Sequence, residues 1–194
     1  LRFAVIDTES TGFDAERDLI VSNAGISVHQ DAIELSDTFE VMIPFPHNTS
    51  SVALHGITRE RASGGIPEDE ALKMFRDWLR RDIIVGHHIG HDIKMLNAAS
   101  RRHSQPLIDN PVIDTMDLTL RLKDVGALSR VEIESFSLDQ LCRVFKVSPH
   151  DRHTAGGDAF LTAQVFLRLL KQAWHCQWLS LGELTTPYEL DESS

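Results

Sequence analysis

The chain opens on Arg2-Phe3-Ala4-Val5-Ile6-Asp7, apolar at almost every position. Such a run reads as a strand buried on both faces, hence central in a sheet. Ser10-Thr11-Gly12 breaks it into a turn. Leu19 to Val28 and Ile33 to Ile43 read as two more strands, parted by a polar turn at His29-Gln30-Asp31. Three strands joined by short links predict an antiparallel meander, which Pro44 and Pro46 end. A loop follows, with a short helical piece near Thr58 to Ala62. Pro67 with Glu68, Asp69 and Glu70 makes a helix start, and Ala71, Leu72, Phe75, Trp78 and Leu79 fall at helical spacing behind it. Ile83-Ile84-Val85 is a short buried strand stopped by Gly86. The pattern then predicts a helix from Asp92 to Arg102, a strand at Val112-Ile113-Asp114, and helices over Asp117 to Leu128, Ser137 to Val147 and Ala155 to Trp174.

Three strands, then alternating helix and strand, then helices, favour a mixed sheet with helices packed on it: an α/β fold whose central five-stranded sheet joins a meander to two further strands. No repeat or linker divides the pattern, so one domain is expected over residues 1–180, with 181–194 as a loose acidic tail. A hydrophobic content of 42 % over 194 residues suffices for one sizeable core. No apolar run approaches the roughly 18 residues of a membrane helix. Neither a leader pattern nor metal-type cysteine spacing is visible. Cys142 and Cys176 read as reduced thiols, and the expectation is a cytoplasmic protein with no membrane association. The strand that begins directly after Leu1 reads as a piece of a longer parent chain.

Net charge is −10. That argues against a protein gripping a long phosphate track, which draws on many Lys and Arg contacts. It leaves room for an enzyme that holds a few terminal nucleotides and neutralises its acids with divalent cations. Arg59, Arg61, Arg76, Arg80 and Arg81, with Lys94, Arg101 and Arg102, read either as a path for a strand or as solvated helix faces, and the latter reading is preferred for most.

Asp7 and Glu9 share one face at the end of the first strand. Locally they read either as two solvated turn acids or as a carboxylate pair whose repulsion a hard cation offsets. Asp92 and Asp158, each near a helix start, read alone as acids favouring the helix dipole. His153 reads alone as a loop histidine. The triple His87, His88 and His91 raises a zinc hydrolase as a rival, with His87 and His91 four apart. Gly86, Gly90 and the lack of a Glu between the histidines weigh against it.

In combination the residues carry a resemblance. Asp7-Thr8-Glu9-Ser10-Thr11-Gly12, His55-Gly56-Ile57-Thr58, Val85-Gly86-His87 through Asp92, and Arg152-His153-Thr154-Ala155 through Asp158 stand in the order of the DEDDh, DnaQ-like 3′→5′ exonucleases. Secondary matches lie at Asp114-Thr115 and at Ser137-Leu138-Asp139. The resemblance covers Phe3 to Leu170 and includes the proofreading epsilon subunit of bacterial DNA polymerase III.

It implies an RNase H-like fold and two divalent cations, Mg²⁺ or Mn²⁺, on Asp7, Glu9, Asp92 and Asp158, with His153 as general base. It implies a single-stranded 3′ end of DNA or RNA as substrate, cut to nucleoside 5′-monophosphates, with a polymerase or a further domain of the parent chain as partner. Thr8, Ser10, Thr11 and Gly12 would contact the terminal nucleotide, and His55, Ile57 and Thr58 its base and sugar. His88 and His91 depart from the family's usual residues. A catalytically silent binding module of the same fold is a second rival.

Overall fold

The computed structural model describes residues 1–45, 64–178 and 180–188. The expected helical piece near Thr58, together with His55, Ile57, Arg59 and Arg61, lies outside the described residues. The meander forms from β1 (Arg2–Ser10), β2 (Ile20–His29) and β3 (Ala32–Met42). After it come α1 (Glu68–Leu79), β4 (Ile83–Gly86), α2 (Gly90–Arg102), β5 (Val112–Asp114), α3 (Thr115–Asp124), α4 (Leu138–Val144), α5 (Ala155–His175) and α6 (Leu181–Thr185).

The sheet order is β3-β2-β1-β4-β5. The β1–β2 and β2–β3 pairs are antiparallel, while β1–β4 and β4–β5 are parallel. The apolar first strand is therefore central, as its pattern predicts.

Alternation along β1 sorts its side chains between two cores. Phe3 and Val5 face α3, α4 and α5, packing with Ile113, Leu118, Leu141, Leu161 and Phe166. Ala4 and Ile6 face α1 and α2, packing with Leu72, Phe75, Met95, Leu96 and Ala99. With a period of two, the strand's polar end inherits these faces. Asp7 and Glu9 follow Phe3 and Val5 toward α5, and Thr8 follows Ala4 and Ile6 toward α2.

Parallel pairing of β1 with β4 stops at Val5↔Val85. Beyond it β1 runs past its neighbour, leaving an opening at the carboxyl end of β4. Open α/β sheets bind ligands at such strand ends.

Arg2 clamps the opposite end of β1. Its guanidinium bonds Asp37 of β3 twice, at 2.8 and 3.0 Å, pairs with Asp82 before β4, and lies 4.8 Å over the Trp78 ring. Trp78 Nε1 donates to the same Asp37 at 2.9 Å.

Several boundaries differ from the pattern, among them the end of α4, which stops at Val144 rather than Val147. α2 starts two residues earlier than expected, at Gly90. α3 stops at Asp124 because Gly126 takes φ +76° and turns the chain. Within the segment expected as a tail, residues 181–185 form α6. Ser180 and Glu183 form a capping box on α6, and Leu184 is buried.

Candidate active site

Three carboxylates converge. Asp7 and Glu9 on β1 and Asp158 on α5 each offer an oxygen, and these oxygens lie within 4.8 Å of one another. Asp158 reaches them because it heads the buried stripe of α5: Asp158, Leu161, Thr162 and Val165 recur at helical spacing and are all buried. The helix is started by Thr154, whose Oγ1 accepts from Gly157 N at 3.1 Å. Any side chain at position 157 would collide with the Asp151 carbonyl, so only glycine lets the chain turn so tightly into the helix.

Asp92 enters from the other face of the sheet. It heads an equivalent stripe on α2, with Met95, Leu96 and Ala99 behind it, and is 6 % exposed. Its Oδ1 accepts from both Thr8 N and Thr8 Oγ1, each at 2.7 Å. The Thr8 N–H lies past the end of the β1–β4 ladder, and the aspartate satisfies it in place of a strand. Asp114 anchors the start of α2 from β5. Its carboxylate accepts from His88 N at 3.2 Å, from Ile89 N at 3.0 Å and, as the cap of α3, from Met116 N at 2.8 Å.

The cluster is electrostatically strained. Burial raises the Asp7 pKa well above the usual carboxylate value, and the charges of Asp92, Asp158 and Glu9 raise it further. Burial likewise raises Asp92, against the hydrogen bonds from Thr8 that lower it. The guanidinium of Arg152 opposes this at Asp7. Arg152 pairs with Asp158, and its Nε bonds Asp139 of α4 at 2.6 Å. Sequence reasoning did not single out Arg152, Asp139, Asp114 or the Thr8–Asp92 contact. Each lies inside a quoted motif, but its partner is remote in sequence.

His153 precedes α5 in a left-handed conformation, φ 63°. Its ring is exposed and makes no hydrogen bond among the described residues. It lines a groove of about 1080 Å³ with Ser22, Thr38, Glu40 and Phe160, between the β2–β3 side of the sheet and the start of α5. Ser22 stands opposite Glu9 in the β1–β2 register, so the groove adjoins the carboxylates.

The turn after β1 is built from its own polar groups. Ser10 Oγ donates to the Gly12 carbonyl at 2.6 Å, and Thr11 Oγ1 donates to Asp18 at 2.9 Å while accepting from Leu19 N. These two hydroxyls are buried, and both are spent on the loop that carries Gly12 and Phe13. Phe13 projects outward at 85 % exposure, its ring 5.5 Å from that of His91.

Among the described residues, His87, His88 and His91 do not join a metal-capable group of three or more ligands. His87 Nδ1 meets Thr115 Oγ1 at 2.9 Å, and burial pushes its pKa down to about 4. His91 faces Phe13 instead. Among the described residues the metal-capable trio is the carboxylate one, and neither histidine belongs to it. Of the expected basic path, Arg102 is tied to Glu68 at 2.8 Å.

The RNase T family, described as exonuclease, matches residues 4–166. This chain belongs to that exonuclease family. The likeness to the DEDDh, DnaQ-like enzymes drawn from the motifs therefore holds, and with it the RNase H-like mixed sheet. The exonuclease domain is 30 % identical over 171 residues to a DNA polymerase III PolC-type of Latilactobacillus sakei, covering 88 % of this chain and 11 % of the relative. It thus spans about a tenth of the length of the PolC-type relatives. The DNA polymerase III subunit epsilon of Aquifex aeolicus is 27 % identical over 176 residues, covering 89 % of this chain and 82 % of the subunit. In fold it is similar to E. coli Exonuclease I solved with a dT13 oligonucleotide, at a TM-score of 0.77 and 16 % identity, covering 91 % of this chain and 42 % of the other. No helix among the described residues is long and apolar enough to cross a membrane.

Proposed function

We propose that this domain removes nucleotides from the 3′ end of a single DNA strand, releasing nucleoside 5′-monophosphates, and that it does so beside a DNA polymerase in the cytoplasm. The observation that carries the reading is the convergence of Asp7, Glu9 and Asp158 within 4.8 Å, with Asp92 bonded to the strand between Asp7 and Glu9. The donor set fits a hard divalent cation: all are carboxylate oxygens, and their mutual repulsion is relieved by positive charge. Asp7, Glu9, Asp92 and Asp158 would hold two ions, Mg²⁺ or Mn²⁺. When bound, such ions supply Lewis acidity, which activates water and offsets charge on the scissile phosphate.

The remaining work falls to the chain's own groups. His153, exposed at the rim of the groove, would accept a proton from the attacking water. Phe13 presents an open ring face at the edge of the site, and stacking a base on such a face contributes about 1–3 kcal/mol. Gly12 and the backbone of the turn from Thr8 would contact the terminal nucleotide. A net charge of −10 suits a grip on a few nucleotides rather than a long track. The names of the PolC-type and epsilon relatives support DNA as substrate and a polymerase as companion.

The test uses 5′-labelled single-stranded DNA and RNA of one sequence, with Mn²⁺ or with EDTA. The expected result is a ladder shortened from the 3′ end, faster on DNA, absent in EDTA and absent for Asp7→Asn. No shortening at high enzyme concentration would favour a silent binding module of the same fold.

A further inference from the structure

We propose that Arg152 is a resident counter-cation: it occupies Asp158 while the site holds no metal, and retreats onto Asp139 alone when a divalent cation takes that carboxylate. The inference rests on the metal-site reading above.

Three observations carry it. Arg152 holds two carboxylates at once, and only one of them, Asp158, belongs to the converging trio. The other, Asp139 on α4, lies outside the trio and is 49 % exposed, so it can keep the guanidinium in a place open to water. Arg152 and Asp158 are 20 % and 12 % exposed, so their pairing is little screened by solvent.

A guanidinium and a divalent cation cannot both neutralise Asp158 without repelling each other at close range. Arg152 thus steadies the metal-free chain and competes with the ion. Asp139 sets the strength of that competition, because it offers the guanidinium its other seat.

The signs of the predicted effects differ between partners. Arg152→Gln removes the competitor, so Mn²⁺ should bind about tenfold more tightly, the scale of a charge-assisted pair. Asp139→Asn removes the alternative seat and leaves Arg152 committed to Asp158, so Mn²⁺ should bind several-fold more weakly. In the Arg152→Gln background, Asp139→Asn should then change Mn²⁺ affinity hardly at all, since no guanidinium is left to seat.

The experiment is calorimetric or spin-resonance titration of Mn²⁺ into the four chains at pH 7, with circular dichroism confirming the fold. Arg152→Met serves as a second variant if Arg152→Gln fails to fold. Equal or weaker Mn²⁺ binding by the Arg152 variants would overturn the proposal, because Arg152 would then be orienting Asp158 for the ion. An Asp139→Asn effect that persists in the double variant would also overturn it, since it would reveal simple long-range charge. Wild-type chain that binds no Mn²⁺ would overturn both this inference and the metal site beneath it.

Discussion

Asp92 accepts two hydrogen bonds through one oxygen, from Thr8 N and from Thr8 Oγ1, both at 2.7 Å. The pair joins α2 to the stretch of β1 between Asp7 and Glu9. It thereby locks the carboxylate from one face of the sheet to the strand that carries the pair from the other. Thr8→Val keeps the shape and the backbone donor but removes the hydroxyl. The expected cost is about 1–2 kcal/mol in urea unfolding. Turnover should fall about tenfold or more, as for other groups that orient metal ligands. Unchanged turnover would mean that Asp92 needs no such anchor.

Asp7 is held at a cost to stability. Burial and three neighbouring carboxylates all disfavour its charged form. Asp7→Asn should therefore raise the unfolding free energy in EDTA by about 1 kcal/mol, read as a higher urea midpoint, while abolishing nuclease activity. A variant that is both inactive and less stable would show the cluster to be better compensated than its charges imply.

The same physics sets a pH dependence. Asp7 and Asp92 have raised pKa values in the folded chain, Asp92 up to about 7, against 3.8 when unfolded. Between these values the folded state binds more protons than the unfolded one. Stability in EDTA should thus fall as pH rises from about 4 to about 7. Saturating Mn²⁺ should offset the fall at pH 7, by about 2.7 kcal/mol at 100 times its dissociation constant. Thermal or urea unfolding across that range, with EDTA and with Mn²⁺, gives both slopes. Parallel curves would speak against ions on these acids.

His153→Ala separates proton transfer from metal binding. The ring touches none of the trio through a hydrogen bond, so Mn²⁺ affinity should be nearly unchanged. The rate should drop by about 10²–10⁴. Rapid-quench rates near those of the wild type would remove His153 from the reaction.

Far from the site, Asp37 makes an acid-side prediction. Hydrogen bonds from Arg2 hold its pKa down to about 2. Because the folded value is depressed, its stabilisation is complete above about pH 4 and is lost as pH falls through about 2. Its side chain is 37 % exposed, so solvent screening limits the effect to roughly 1 kcal/mol. Asp37→Asn should be that much less stable at pH 7 and should lose less than the wild type between pH 4 and pH 2. Urea midpoints at the three pH values decide it.

Most strand positions were legible because a buried strand and a meander leave period-two and continuous apolar patterns. Helix starts were legible where proline, threonine or aspartate marks them, as at Pro67 and Thr154. Asp92 and Asp158 were less so. Read as dipole acids, they belong at the surface, yet each stands first in an apolar stripe that turns inward. That spacing, Asp92 with Met95, Leu96 and Ala99, is a signal a sequence reading can use. The partners of Arg152 left no such trace, since Asp139 and Asp158 flank it without any periodicity.

By itself the sequence determined which residues are strand and helix, which acids are available, and in what order they come, because these are written in local spacing. Only the tertiary structure decided that Thr8 meets Asp92, that Arg152 bridges Asp139 and Asp158, and that His153 stays at the rim. Charges act through space, and the distance between remote side chains exists only once the sheet and its two helical layers have packed.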